Sequence, residues 1–137
     1  MKTNEKSVSK YVLYIDTSSD QSKIALFEDN AILAEEVWVG HSDLSETLLT
    51  KIEQLLKKSG LKLFNLNNIA IFPGPGSYTG LRIGITTANF LSWSLQISIM
   101  PARIESGKLI KTRANEKYVL PKYLKPAHIT KPRSRVI

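Results

Sequence analysis

Apolar positions in this chain follow one rhythm up to Val39 and another from Leu44 onward. YVLYID (11–16) is β-branched and aromatic and reads as a strand ending on Asp16. TSSDQS supplies turn chemistry. KIALFED (23–29) sets Ile24, Leu26 and Glu28 against Ala25 and Phe27, the alternation of a second strand. Asp29-Asn30 makes a tight turn, and AILAEEVWV (31–39) reads as a third strand. Three strands joined by short turns predict an antiparallel meander.

The period then changes. In HSDLSETLLTKIEQLLKKSG (41–60), Leu44, Leu48, Ile52 and Leu55 recur at helical spacing and predict a helix over about 42–58. Ser42 or Asp43 can cap it, and Asp43 with Glu46 has capping-box spacing. Lys57 and Lys58 suit the negative end of the helix dipole, and Gly60 suits the left-handed residue beyond it. Leu49 and Leu56 widen the apolar face beyond what one sheet contact needs. Residues 61–68 form a connector with room for one helical turn. NIAIF (68–72) reads as a short central parallel strand, 79–95 as a second helix and ISIM (97–100) as a fifth strand. The order βββαβαβ predicts an α/β domain with a mixed five-stranded sheet. From 101 the pattern fades. Ile104 to Glu116 gives no clear element, and YVLPKYLKPAHITKPRSRVI, with three prolines, reads as an extended tail. The expected organisation is a disordered lead-in (1–10), one lobe (11–101), a connector (102–117) and a tail (118–137).

The second helix carries Leu81, Ile83, Ile85, Ala88, Phe90, Leu91, Trp93 and Leu95 on all sides. A helix apolar all round is covered on both sides. One sheet covers one side. The other, with Leu49 and Leu56, is expected to meet a second protein; the chain's own tail is the alternative cover.

Composition narrows the choices. The chain has 137 residues, enough for one domain. It has no cysteine, which removes thiolate nucleophiles, disulfides and sulfur-ligated zinc. Two histidines, His41 and His128, do not make a metal cluster. No stretch reads as a membrane span or signal-peptide core, and a cytoplasmic protein is expected. Residues 1–100 hold nine Lys/Arg against ten Asp/Glu, and residues 101–137 hold ten against two, so the basic excess lies at the end. Lys122, Lys125, Lys131, Arg133 and Arg135 are candidate RNA contacts there; a merely solvated terminus is the other reading.

The stretch between strand four and the second helix, FPGPGSYTGLRIG (72–84), holds four glycines and two prolines. Its spacing matches neither G-x-S-x-G, nor G-x-x-x-x-G-K-[ST], nor G-x-G-x-x-G. A glycine loop opening a helix can still offer backbone N–H groups to an anion, with Asp16, Thr17, Gly74, Gly76, Ser77 and Gly80 as phosphate-side candidates. The same glycines can simply permit a tight turn and close helix packing, and Asp16 can cap its own turn.

YIDTSSDQSKIALFED, HSDLSETLLTKIEQLLKKSGL and above all the block Gly74–Gly84, GPGSYTGLRIG, resemble the bacterial TsaB (YeaZ) family over about Tyr11 to Pro101. YVLPKYLKPAHITKP (118–132) is also similar to the end of such chains. The resemblance implies the first lobe of the actin/Hsp70/sugar-kinase (ribonuclease H-like) fold. It implies a non-catalytic subunit that forms threonylcarbamoyladenosine at position 37 of tRNA with a TsaD-like catalytic subunit and a TsaE-like ATPase. Pairing would run through the two helices, with Leu49, Leu56, Ile83, Phe90 and Trp93 as interface candidates and a homodimer through the same helices as a variant. TsaD binds metal through an H-x-x-x-H pair after strand five; here that place reads ISIMPARIESGK, without histidine. No metal or catalytic residue is therefore expected. The passage from strand five straight to the terminal stretch implies that most of a second lobe is absent. ATP or ADP would then be held only in complex with partners. An actin-like ATPase or phosphotransferase and an RNA-binding module using the tail are the competing functions.

Overall fold

The computed structural model describes residues 10–40 and 42–112. Strands β1 (Tyr11–Asp16), β2 (Gln21–Glu28) and β3 (Ala31–Val39) form the meander that the alternation predicts. Asp29 and Asn30 turn the β2–β3 hairpin at φ 51° and 70°. A two-residue hairpin needs this left-handed pair, and Asp and Asn adopt it more readily than other non-glycine residues. The Asp29 N–H donates to the Lys10 carbonyl at 2.9 Å, and Asp29 Oδ1 accepts the Lys10 N–H at 3.0 Å. That pair ties the hairpin to the entry of β1.

Helix α1 (Leu44–Lys58) is followed by a 3-10 turn (Leu63–Asn65), strand β4 (Asn68–Ile71), helix α2 (Tyr78–Leu95) and strands β5 (Ser98–Glu105) and β6 (Lys108–Lys111). The sheet order is β3-β2-β1-β4-β5-β6, with β1, β4 and β5 parallel and the remaining pairs antiparallel. Leu13 and Ile15 of β1 point to one face and Tyr14 to the other, as the pleat requires. Both helices lie on the first face, where Leu48, Ile52 and Leu55 of α1 and Leu81, Ile85 and Leu91 of α2 bury against the sheet. Tyr14, Ala25, Phe27, Ala70 and Met100 line the second face, with Ile104 and Leu109 of β5 and β6 packed against them.

Among the described residues the sheet has six strands, not the predicted five. β5 continues through Pro101 to Glu105, turns at Ser106 and Gly107 (φ 51° and 75°), and returns as β6. Part of the stretch read as a connector is therefore a hairpin. Pro101 marks the change of partner: β5 pairs with β4 up to Pro101 and with β6 from Ala102.

α1 begins at Leu44, and its N-cap Asp43 makes no side-chain cap bond, contrary to the capping-box expectation. The Asp43 carbonyl instead accepts the N–H groups of Glu46 (3.1 Å) and Thr47 (3.0 Å). The other end matches the sequence signal. Gly60 sits at φ 74°, its N–H donates to Lys57 O at 3.1 Å, and the Leu61 N–H donates to Leu56 O at 2.9 Å. This double bond pattern closes the helix and folds Leu61 back toward Leu56.

Candidate functional site

The glycine loop is packed against the β1–β2 turn. The Ser77 N–H donates to Ser18 O at 2.8 Å, and the Thr17 hydroxyl donates to the Gly80 carbonyl at 2.6 Å. Ser77 caps α2 by accepting the Gly80 N–H at 3.1 Å. A Cβ at Gly76 would lie 2.5 Å from Ser18 Cβ and 2.6 Å from Ser18 O. At Gly80 it would overlap the Thr17 carbonyl oxygen, and at Gly84 the Thr17 hydroxyl. The loop and the first turns of α2 therefore rest directly on Thr17 and Ser18. Gly74, at φ 112°, turns the chain ahead of this contact.

These contacts account for the glycines of the loop by packing. Thr17 is buried, its hydroxyl is engaged by Gly80, and the Ser77 hydroxyl is engaged by the Gly80 N–H. Asp16 Oδ1 accepts both the Ser18 N–H (2.9 Å) and the Ser18 hydroxyl (2.6 Å), which makes it a turn cap. The space beside Gly76, Gly80 and Gly84 is filled by the protein itself. The arrangement is a packing turn that launches α2. Next to it, burial pushes the Tyr14 phenol above the ordinary tyrosine range, and the Asp16 carboxylate adds to the shift.

The outer face of the helical layer is different. Thr79, Arg82, Thr86, Phe90 and Trp93 follow one another at three- and four-residue steps along α2, with Ile83 beside Arg82, so they share a stripe. Its first half joins Ser45 of α1 in an open groove of about 320 Å³. Its second half exposes Phe90 (57%) and Trp93 (70%), whose ring centroids are 6.3 Å apart. Leu49, exposed one turn beyond Ser45, continues the α1 side. Arg82 lies 5.5 Å from the centroid of the Tyr78 ring, also exposed.

Of the five interface candidates, Leu49, Phe90 and Trp93 are exposed, and Ile83 is half-buried in the groove wall. Leu56 is corrected: it is 2% exposed and belongs to the core. The helix closure brings Leu61 over it, and Leu63 and Leu66 of the following turn add to the same cluster. Tyr78 and Arg82 were missed because GPGSYTGLRIG was read for its glycines; their signal was the four-residue spacing that sets Arg82 of the α2 stripe over Tyr78. Lys122, Lys125, Lys131, Arg133 and Arg135, with His41, His128 and the lead-in 1–9, lie outside the described residues. Among the described residues no three of His, Cys, Asp and Glu come together to hold a metal ion, and no helix is long and apolar enough to cross a membrane.

The curled mixed sheet with both helices on one face defines an α/β lobe of the ribonuclease H-like kind. Its backbone is similar to that of YeaZ from Pseudomonas aeruginosa, with a TM-score of 0.62 and 22% identity, covering 90% of this chain and 71% of that one. The sequence model of the family described as "TsaD: tRNA N6-adenosine threonylcarbamoyltransferase" matches residues 38–120. The chain belongs to that family, in its TsaB (YeaZ) branch. It is 38% identical over 88 residues to "tRNA threonylcarbamoyladenosine biosynthesis protein TsaB" of Bacillus subtilis, covering 64% of this chain and 38% of the relative. It is 34% identical over 113 residues to the protein of the same name in Buchnera aphidicola, covering 81% and 51%. The chain thus spans about half of the length of these curated relatives at most, 38% of one and 51% of the other.

Proposed function

We propose that this chain acts in threonylcarbamoyladenosine synthesis on tRNA as a non-catalytic scaffold that pairs with a TsaD-like catalytic subunit. The observation that carries this reading is the exposure of Phe90 and Trp93 on the α2 stripe, with Leu49 exposed on α1. Exposed aromatics on a rigid helix are the kind of anchor that dominates protein interfaces. The names of the B. subtilis and Buchnera relatives support the pathway. The self-packed glycine loop supports a scaffold over an actin-like ATPase or phosphotransferase. In this role a TsaE-like ATPase and tRNA meet the chain through the complex, ATP or ADP is held only with those partners, and the work is done in the cytoplasm. Without its partner the same stripe serves a homodimer.

Size-exclusion chromatography with light scattering tests this on the chain alone, the host's TsaD-like protein alone and the two mixed. A mixed species forms, and Trp93→Asp or Phe90→Asp weakens it by about 2 kcal/mol or more. Two folded proteins that stay separate would overturn the pairing.

A further inference from the structure

Away from the glycine loop, at the other end of the sheet, the last turn of α1 and the 3-10 turn present Lys57, Lys58, Lys62 and Phe64 to solvent. Phe64 is 75% exposed, more than any other large apolar side chain among the described residues. One exposed phenylalanine is common; this one stands on a pinned turn. Leu61 and Leu63 pack on the core on either side, Leu66 is buried, and the Lys62 N–H donates to Asn65 Oδ1 at 2.8 Å. The Asn67 N–H donates to Tyr11 O at 2.8 Å and Asn67 Oδ1 accepts the Tyr11 N–H at 2.7 Å, so the turn is tied to the sheet. The ring is held outward by a backbone already in place.

The charge around it is one-sided. Among the described residues none of the three lysines makes an ion pair. The nearby carboxylate of Glu36 is taken by Lys51 at 2.9 Å, which leaves Glu53, one turn before Lys57, as the local acid. From residue 54 to 104 the chain contains no Asp or Glu. Cations beside an exposed aromatic are what a single-stranded nucleic acid requires: lysines follow the phosphates and the ring stacks on a base. We propose that this pole binds single-stranded RNA, with Lys57, Lys58 and Lys62 on phosphates and Phe64 against a base. An acidic peptide would use the lysines without the ring.

The site is independent of the pairing reading, because the chain alone suffices to test it, and either proposal can fail without the other. The experiment measures anisotropy of a labelled single-stranded RNA of mixed sequence with the whole chain across a salt series. Duplex RNA and heparin serve as comparison ligands. Lys57→Gln, Lys58→Gln and Lys62→Gln together should flatten the slope of log K against log salt by about 2, at roughly 0.7 per lost phosphate contact. Phe64→Ala should weaken single-stranded RNA about tenfold, leaving the slope and the binding of duplex and heparin unchanged. All four positions are exposed, and thermal unfolding close to wild type checks the fold. An unchanged slope in the triple variant overturns the proposal. So does a Phe64→Ala variant that binds single strands as wild type does, or one that loses heparin equally.

Discussion

The Thr17 hydroxyl donates to the Gly80 carbonyl at 2.6 Å, and the Thr17 carbonyl fills the space where Gly80 would carry a Cβ. The two residues are 63 positions apart, and their contact sets α2 on the β1–β2 turn. Gly80→Ala should therefore cost about 2–3 kcal/mol, because the obstacle is backbone and cannot rotate away. Gly60→Ala is the control. It too alters a glycine, but nothing lies within 4 Å and only the left-handed φ of 74° opposes it, at about 1 kcal/mol. Urea denaturation of both variants checks the order. If Gly80→Ala is the milder change, the loop is open enough for a ligand and the packing account fails.

What was legible in the sequence follows from how local each signal was. The β2–β3 turn, the stripe of α1 and its Gly60 closure depend on neighbours a few residues apart, and they stand where the pattern put them. β6 was missed because Lys108-Leu-Ile-Lys111 is four residues long and its pairing with β5 is a tertiary matter. Pro101 was read as an end, whereas it marks where β5 exchanges one partner strand for another. Leu49 and Leu56 looked alike on the helix face. What separates them is the returning chain at 61–66, which covers Leu56 and stops short of Leu49. The glycine loop's role was undecidable in sequence because its partners, Thr17 and Ser18, lie far upstream.

That separation between Leu49 and Leu56 gives a paired test. Leu56→Ala should lower stability by about 2–5 kcal/mol, the usual cost of emptying a buried leucine site. Leu49→Ala and Trp93→Ala should each change it by no more than about 0.5 kcal/mol, since both side chains face solvent. Chemical denaturation of the isolated chain reads all three. A large loss in Trp93→Ala would mean that the ring supports the fold, and the interface reading would lose its strongest residue.

Tyr14 makes stability depend on alkaline pH. Burial and the Asp16 carboxylate favour its neutral form, so its pKa is higher in the folded chain than in the unfolded one. The unfolded phenol titrates near pH 10. Below about pH 10 both states keep the proton and the native advantage is complete. Above it the unfolded state loses the proton first, so stability falls with rising pH by about 1.4 kcal/mol per unit. Tyr14→Phe should remove this component. Urea midpoints at about pH 8, 10 and 11 should fall more steeply for wild type than for Tyr14→Phe, and parallel falls would overturn the account.

Ser22 and Trp38 face each other across β2 and β3, and both carry buried polar atoms, Oγ and Nε1, without a partner among the described residues. The spot is tight, since a Cβ built on Gly40 would come 3.1 Å from Ser22 Oγ. A buried hydroxyl without a partner opposes folding. Ser22→Ala should then stabilise the chain by about 0.5–1 kcal/mol, the desolvation it relieves less the small volume it empties. The reverse sign in a urea titration would show that the hydroxyl is satisfied by a bound water, and Trp38→Phe should then lose a similar amount by breaking the same bridge.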